Sequence, residues 1–339
     1  MERLLITLIL VCTMNNITNA QNPFYGQYHT PHEAVPFDRI ETEHYEPAIL
    51  EGIKLQNAEI EAIIQNPEKA DFTNTIEAFE ESGELLDKVV AVFGNMLSAE
   101  TNDDLQELAQ KIMPLLSEHS NNITLNKKLF ARVKEVYNQK ETLQLTEEQK
   151  QLLENAYNSF IRHGANLEGE AREEYRRLTT ELSKLTLTFS ENNLKETNAY
   201  QMLLTKKESL AGLPEIIIEA AAETAKNEEK EGWAFTLHAP SYIPFMTYSD
   251  NRDLRQKLYM AYNTKCTHDN EFNNIDIVKK IANTRMKIAQ LLGYKDYAEY
   301  TLKKRMAENS KSVYKLLNQL LEAYTCLLYT SPSPRDRTR

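Results

Sequence analysis

The apolar residues of this chain recur at the spacing of an α-helix along most of its length. In the clearest stretch, over residues 168–194, they step by four, three, four, three and four positions: Ala171, Tyr175, Leu178, Leu182, Leu185 and Phe189. Such steps place the residues on one helix face, and charged residues occupy the other. Shorter stretches with the same period lie on both sides, so the sequence predicts a mostly α protein.

Local signals indicate where several of these helices begin and end. Asn102 and Thr146 are suited to cap the starts of two helices, and Gln149 completes a capping box with Thr146. Pro114 lies inside the predicted helix that follows Asn102 and is expected to kink it. Gly293 is placed to stop a helix over residues 275–292.

One region departs from the helical period. Residues 199–205 and 233–237 have the composition of short strands, and a helix is predicted between them at 214–226. They predict a small β-containing insertion near 199–237. Beyond it, further helices are predicted, the last at 310–323, and the helical pattern is expected to end at residue 325.

The first twenty residues have the features of an export signal. Arg3 and the free amine give a weakly positive start, residues 4–12 are apolar, and small residues precede a cleavage site after Ala20. The sequence therefore predicts a signal peptide and an exported, periplasmic protein. There are two alternatives. One is an N-terminal helix, and the other is lipid attachment at Cys12, although the preceding Val11 is bulkier than that processing usually takes.

Composition and charge argue against nucleic-acid binding, a membrane-spanning segment in the body of the chain, and a disulfide-stabilised fold. The formal net charge is −11, and no Lys/Arg stripe with interleaved aromatic residues is present, so nucleic acid is not an expected partner. No other stretch is apolar enough to span a membrane. The three cysteines are Cys12, Cys266 and Cys326, which leaves one in the body of an exported chain and predicts no internal disulfide framework.

The histidines do not form the commonest zinc-hydrolase motif. H-E-x-x-H needs two histidines four residues apart, on one helix face, with a glutamate beside the first. His32 and Glu33 begin such a motif, but Pro36 stands where the second histidine is required. The sequence therefore offers no metal ligands. No two of its seven histidines are four apart: His29, His32, His44, His119, His163, His238 and His268.

Other candidate residues have simpler interpretations. His29 and His32 are expected in a solvated loop, and His119 and His163 at the core edge or at helix caps. Cys266 near His268 suggests a thiol nucleophile, but an isolated cysteine is usually an inert packing residue. Two acidic pairs are interpreted as solvated helix ends rather than catalytic carboxylates: Glu147-Glu148 and Glu228-Glu229.

Several stretches, in order from residue 22 to 323, resemble the M3 family of zinc oligopeptidases, of which thimet oligopeptidase is a member. They include PFDRIETEHYEPAI at 36–49, NPEKADFTNTIEAFEESGELLDKV at 66–89, NRDLRQKLYMAY at 251–262, and the segment 289–320. The resemblance is strongest to the bacterial peptidyl-dipeptidase branch, the dipeptidyl carboxypeptidases.

This resemblance implies a nearly all-helical, clam-like molecule whose deep channel admits short peptides. It implies a monomer at full length, a zinc ion bound by H-E-x-x-H and a downstream glutamate, and release of dipeptides from a free C-terminus. That motif is expected beyond Leu320 and does not occur here. No catalytic, cofactor-binding or metal residue is therefore assigned, and the chain is expected to be an inactive N-terminal fragment.

The sequence patterns and the resemblance together predict a division of the chain into regions. These are a signal peptide (1–20), a Pro-rich lead (21–42), an N-terminal helical region (43–198), a mixed α/β segment (199–249), the helical start of the catalytic region (250–325), and a tail (326–339). The tail CLLYTSPSPRD looks like a translated library adapter; the alternative is a genuine disordered extension.

Two other functions stay open. One is a helical binding or scaffold protein that lacks catalysis, and the other is an endopeptidase of the oligopeptidase A type. The fragment interpretation carries a physical expectation as well. Helices whose partners lie outside the fragment should expose apolar faces, and the chain should behave poorly in solution.

Overall fold

The computed structural model describes residues 22–330 and is mostly helical, as the sequence predicts. The predicted signal peptide, the Cys12 alternative and residues 331–339 of the expected tail lie outside the described residues. Among the described helices, none is both long and apolar enough to cross a bilayer.

The first core forms where three helices meet: α1 (Thr42–Gln65), α2 (Glu84–Ala99) and α3 (Asp103–Thr124). Its centre is aromatic, with the Tyr45 ring 5.4 Å from that of Phe24 and 5.2 Å from that of Phe93. α1 and α2 cross closely because α1 carries Gly52, whose Cβ would lie only 2.9 Å from the Cα of Leu86.

A second core lies beside the first. It is built by a π-helical turn at Phe72–Glu77, by α4 (Lys127–Asn138) and by α5 (Glu147–Arg162). Phe130 and Phe160 lie at its centre, with their rings 5.7 Å apart.

The predicted helix starts are confirmed in α3 and α5. Asn102 Oδ1 accepts the backbone N–H of Leu105 at 2.9 Å. In the capping box, Thr146 Oγ1 accepts the backbone N–H of Gln149 at 3.2 Å, and Gln149 Oε1 accepts the backbone N–H of Thr146 at 3.1 Å. α3 runs through Pro114 as one continuous helix.

The longest described helix is α6 (Gly169–Ala199), which carries the six-residue apolar seam. Tyr175 and Leu178 of that seam are buried with Leu125 and Ile288, which belong to different parts of the chain. Phe189, at the other end of the seam, is 38% exposed. Of the six seam residues, only Tyr175 and Leu178 are buried; Ala171, Leu182 and Leu185 are partly buried.

The predicted insertion is a two-stranded sheet with one covering helix. β1 (Gln201–Leu204) and β2 (Trp233–Thr236) are antiparallel, with Gln201 opposite Thr236, and α7 (Glu215–Asn227) packs against β2.

Five α-helices follow the sheet: α8 (Ala239–Tyr248), α9 (Arg252–Asn263), α10 (Ile275–Leu291), α11 (Tyr297–Leu302) and α12 (Ser310–Thr330). α10 packs along α6. Gly293 has φ = 84° after α10, which confirms it as the stop signal. The predicted end of the last helix at residue 323, and of the helical pattern at residue 325, is wrong, because α12 continues through Thr330 over residues that remain mostly apolar.

Candidate functional site

The last turn of α6 anchors the loop between α9 and α10 through a buried carboxylate. Glu196 is 9% exposed. Its carboxylate accepts the backbone N–H of Cys266, contacts Nδ1 of His268 at 2.6 Å and accepts from Asn270 Nδ2 at 3.4 Å. Burial alone would raise the pKa of Glu196, but the hydrogen bonds from His268, Cys266 and Asn270 hold that pKa below its usual value. Glu196 is therefore an ionised anchor at neutral pH.

Cys266 belongs to this anchor and not to a nucleophilic pair. Cys266 is 5% exposed, and burial together with a hydrogen bond to Glu196 raises the pKa of its thiol to about 11. A thiol with such a pKa is protonated at neutral pH and is a poor nucleophile. This confirms the interpretation of Cys266 as a packing residue. His268, the proposed partner, directs Nδ1 to Glu196 instead.

The two residues after Glu196 extend the contact with neighbouring segments. Thr197 Oγ1 accepts a hydrogen bond from Nζ of Lys265 at 3.1 Å, and Asn198 Oδ1 lies 3.0 Å from Nε2 of His238. The end of α6 thus holds both the start of α8 and the end of α9. These contacts fix the position of a group of tyrosines on those two helices.

We call Tyr242, Tyr259, Tyr262 and Lys265 the tyrosine cluster. The rings of Tyr242 and Tyr262 stack with centroids 4.1 Å apart, and Nζ of Lys265 lies 4.5 Å from the centroid of Tyr262. Burial raises the pKa of Tyr242, and its neighbours Tyr262 and Tyr259 add to the effect. Tyr259 remains 49% exposed and Tyr262 38% exposed. The cluster is therefore held by the fold and still open to a ligand.

Such a surface is chemically suited to a peptide. Tyrosine rings offer rigid apolar contact area, their hydroxyls can bond to peptide groups, and few rotamers are lost on binding. The ammonium of Lys265 adds a positive charge beside the rings. Nothing in the cluster combines a nucleophile with a base, so binding is the chemistry that it supports.

Comparison with known proteins identifies the family. The sequence model of peptidase family M3 matches residues 245–330, which include Tyr259, Tyr262 and Lys265. The chain is 34% identical over 303 residues to the dipeptidyl carboxypeptidase of Escherichia coli, which is 89% of this chain and 44% of that relative. The chain belongs to peptidase family M3.

Other M3 relatives match with similar strength. Oligopeptidase A of Haemophilus influenzae is 32% identical over 291 residues, which covers 85% of this chain and 43% of the relative. Oligopeptidase A of Salmonella typhimurium is 30% identical over 303 residues, with 88% and 44% covered. The chain thus spans less than half the length of the curated M3 relatives that it matches.

The described part of this M3 chain does not offer a zinc site. Among residues 22–330, no group of three or more His, Cys, Asp or Glu side chains is arranged to hold a metal ion. Glu196, Cys266 and His268 come together, but both carboxylate oxygens of Glu196 already accept hydrogen bonds from the loop. These residues fit a structural anchor and do not fit a metal. That the chain contains no catalytic or metal residue stays a prediction.

The histidines singled out from the M3 sequence have separate structural roles. His29 and His32 are exposed in the lead segment, as expected. His44 accepts the backbone N–H of Glu41 through Nδ1, in the capping box of α1. His163 caps the end of α5, where Nδ1 contacts the backbone carbonyl of Ser159.

His119 is the buried exception. It is 6% exposed, and Nε2 lies 2.6 Å from Oε1 of Gln56, so His119 joins α3 to α1. Burial lowers the pKa of His119, which favours the neutral ring. This confirms its interpretation as a residue at the edge of the core.

The acidic pairs lie at exposed helix ends, as predicted. Glu147 forms an ion pair with Lys150 at 2.7 Å, and Glu228 forms one with Lys230 at 2.7 Å. Sequence reasoning missed Glu196 and the tyrosine cluster. The run YMAYNTK at 259–265 could have indicated the tyrosines, whereas the partners of Glu196 lie about seventy residues away and leave no local signal.

Proposed function

We propose that this chain is part of a zinc-dependent M3 peptidase that acts on short peptides and releases dipeptides from their free C-termini. The observation that carries the proposal is the 34% identity to dipeptidyl carboxypeptidase over 89% of the chain. A shared fold does not by itself establish an activity, so the roles of individual residues are argued separately.

In this proposal the described residues bind the peptide and do not cleave it. The tyrosine cluster supplies rigid contact area, and Lys265 supplies positive charge that complements a peptide carboxylate. The zinc ion and the catalytic base are assigned to another part of a longer protein. The 339-residue chain is therefore expected not to hydrolyse peptides on its own, and peptide hydrolysis by the purified chain would contradict this.

Sequencing the native locus downstream of the codon for Thr325 tests the assignment directly. An open frame that encodes H-E-x-x-H on a helix is the expected result, because that spacing places two imidazoles on one helix face. A frame that ends at Arg339, or that continues without paired histidines, would overturn the peptidase proposal and favour a non-catalytic binding protein.

Peptide binding tests the role of the tyrosine cluster. The probe is a fluorescein-labelled octapeptide with a free C-terminus, titrated against the 339-residue chain and followed by anisotropy. Replacing Tyr259 and Tyr262 with alanine should weaken binding by about tenfold or more, since exposed aromatic anchors dominate such contacts. The control is Tyr314→Ala, which removes a tyrosine 64% exposed outside the cluster. Equal binding by all variants would contradict the assignment.

Cleavage at internal bonds is the alternative reaction, favoured by the 32% and 30% identity to two oligopeptidases A. Amidating the C-terminus of the octapeptide separates the two. A protein that recognises the free carboxylate should bind the amide more weakly, whereas an endopeptidase should bind both alike. Mass spectrometry of a peptide digest by the protein encoded at the native locus should show dipeptides in the first case and internal fragments in the second.

We also propose that the protein is exported to the periplasm. The support is the weakly positive start, the apolar run and the small-residue site at residues 18–20. Expression in a Gram-negative host should yield a mature N-terminus at Gln21. An intact Met1 on protein in the cytoplasm would contradict this.

A further inference from the structure

Apolar exposure in the described residues is concentrated in one part of the chain. Of the 25 large apolar side chains that are exposed, 18 lie at or beyond Ile243. All but Ile243 of these fall within residues 245–330, the segment that the M3 sequence model matches. A monomeric protein rarely leaves such a dense group of apolar side chains in water unless they have a partner.

The C-terminal helix α12 carries the largest share of this exposure. Val313, Leu317, Leu320 and Tyr324 step by four, three and four residues and therefore share one face. Leu317 is 50% exposed, Leu320 40% and Tyr324 64%. None of the residues of α12 whose side chains are described is buried. We call these four residues the α12 seam.

The composition of α12 favours a protein partner over a membrane. The helix carries two lysines, Lys311 and Lys315, and one glutamate, Glu322. Helices that bind the membrane surface are rich in Lys and Arg on the polar face. The steps of four, three and four are those of residues that pack against another helix. The α12 seam is thus suited to pack against an apolar helical surface of a protein.

The length of the relatives supplies a source for this partner surface. This chain covers only 44% of the dipeptidyl carboxypeptidase of E. coli, so more than half of that relative has no counterpart here. Resting on the proposed function, we propose that the α12 seam docks an apolar helical surface from the part of an M3 peptidase that this chain does not match. This occupant explains why the exposure coincides with the family-matched segment and is sparse before Ile243.

Binding between two separate polypeptides tests the inference. The 339-residue chain is co-expressed with the part of E. coli dipeptidyl carboxypeptidase that it does not match, so that neither polypeptide has to fold alone. Light scattering after size exclusion should show a one-to-one complex, and hydrogen exchange should slow in residues 310–330. A complex that leaves α12 unprotected, or no complex at all, would overturn the proposal.

A matched pair of double variants adds specificity. Leu317→Gln with Leu320→Gln changes seam residues that are 50% and 40% exposed, and Leu50→Gln with Leu55→Gln changes α1 residues that are 45% and 42% exposed. The seam variant should weaken complex formation by at least about tenfold, and the α1 variant by less than about twofold. Both change exposed residues, so helicity by circular dichroism should remain that of the parent.

Two outcomes separate this inference from its alternatives. A homodimer of the chain that the seam variant dissociates, with no mixed complex, would replace the proposal by self-association. Peptide hydrolysis is measured in a separate assay from complex formation. A mixed complex without hydrolysis supports docking and contradicts the proposed activity, whereas hydrolysis by the locus-encoded protein without docking at α12 contradicts the docking alone.

Discussion

The carboxylate of Glu196 lies 2.6 Å from Nδ1 of His268, and 72 residues of sequence separate the two. The same carboxylate accepts the backbone N–H of Cys266. One buried side chain therefore ties the loop between α9 and α10 to the last turn of α6. This one anion holds the loop, while Thr197 and Asn198 hold the two helices that carry the tyrosine cluster.

Replacing Glu196 by glutamine should destabilise the protein. The amide keeps the shape but removes the charge, and hydrogen bonds to a charged group contribute roughly 1.5–3 kcal/mol. We expect the free energy of unfolding in urea to fall by about 2 kcal/mol. The matched control is Glu147→Gln at an exposed ion pair, which should cost less than about 1 kcal/mol. Equal losses in the two variants would show that Glu196 is not a special anchor.

His119 should make the stability of the protein depend on pH. Its pKa is lowered in the fold from the ordinary 6.5, and no hydrogen-bond partner is present at its buried Nδ1. The unfolded chain therefore binds the proton more readily. The stabilisation is complete above pH 6.5 and is lost as the pH falls below that value. Urea unfolding at pH 7.5 and pH 5.5 should show this loss.

Two histidine variants separate this effect from general acid sensitivity. His119→Gln should flatten the dependence between pH 7.5 and pH 5.5, because the titrating ring is removed. His29→Gln, at an exposed site in the lead segment, should leave the dependence as it is in the parent. An unchanged slope in His119→Gln would refute the assignment.

Cysteine labelling should distinguish buried from exposed thiols. The thiol of Cys266 is buried, and its pKa is raised to about 11, whereas Cys326 is exposed. Iodoacetamide reacts with the thiolate, so at pH 7.5 Cys266 should react at least about 100-fold more slowly than Cys326. Peptide mapping measures both rates. Comparable rates in the native protein, or no acceleration for Cys266 in urea, would be inconsistent with this environment.

Alanine substitutions at two glycines test the crossing of α1 and α2. A Cβ at Gly52 would lie 2.9 Å from the Cα of Leu86, so Gly52→Ala forces the helices apart. We expect a loss of about 1–3 kcal/mol in the free energy of unfolding. At Gly94 a Cβ meets nothing within 4 Å, and Gly94→Ala should be neutral or stabilising by up to about 1 kcal/mol. Thermal and urea unfolding of both variants decide the matter.

Local sequence signals predicted much of the fold because each lies within a few residues of the structure that it specifies. Asn102, Thr146 and Gly293 act on their own helix ends, and the seam of α6 follows from a period of 3.6. The end of α12 could not be predicted in this way. Its last residues are apolar and extend the helix to Thr330.

The candidate site was less accessible from sequence. The role of Glu196 depends on contacts with Cys266 and His268 that arise only when α6 and the α9–α10 loop meet. Cys266 is the one cysteine in the body of the chain, but the number of cysteines predicts neither the burial nor the pKa of its thiol. The stacking of Tyr242 on Tyr262 likewise joins residues of different helices, so composition alone did not reveal it.

The length of α6 has a mechanical consequence. At the usual rise per residue, its 31 residues span about 46 Å. Tyr175 and Leu178 hold one end in a buried cluster, and Glu196 fixes the loop at the other. Adding a single residue between these points would rotate one end against the other by about 100°. The number of residues in α6 therefore fixes the distance and the rotation between its two anchored ends, and with them the position of the tyrosine cluster.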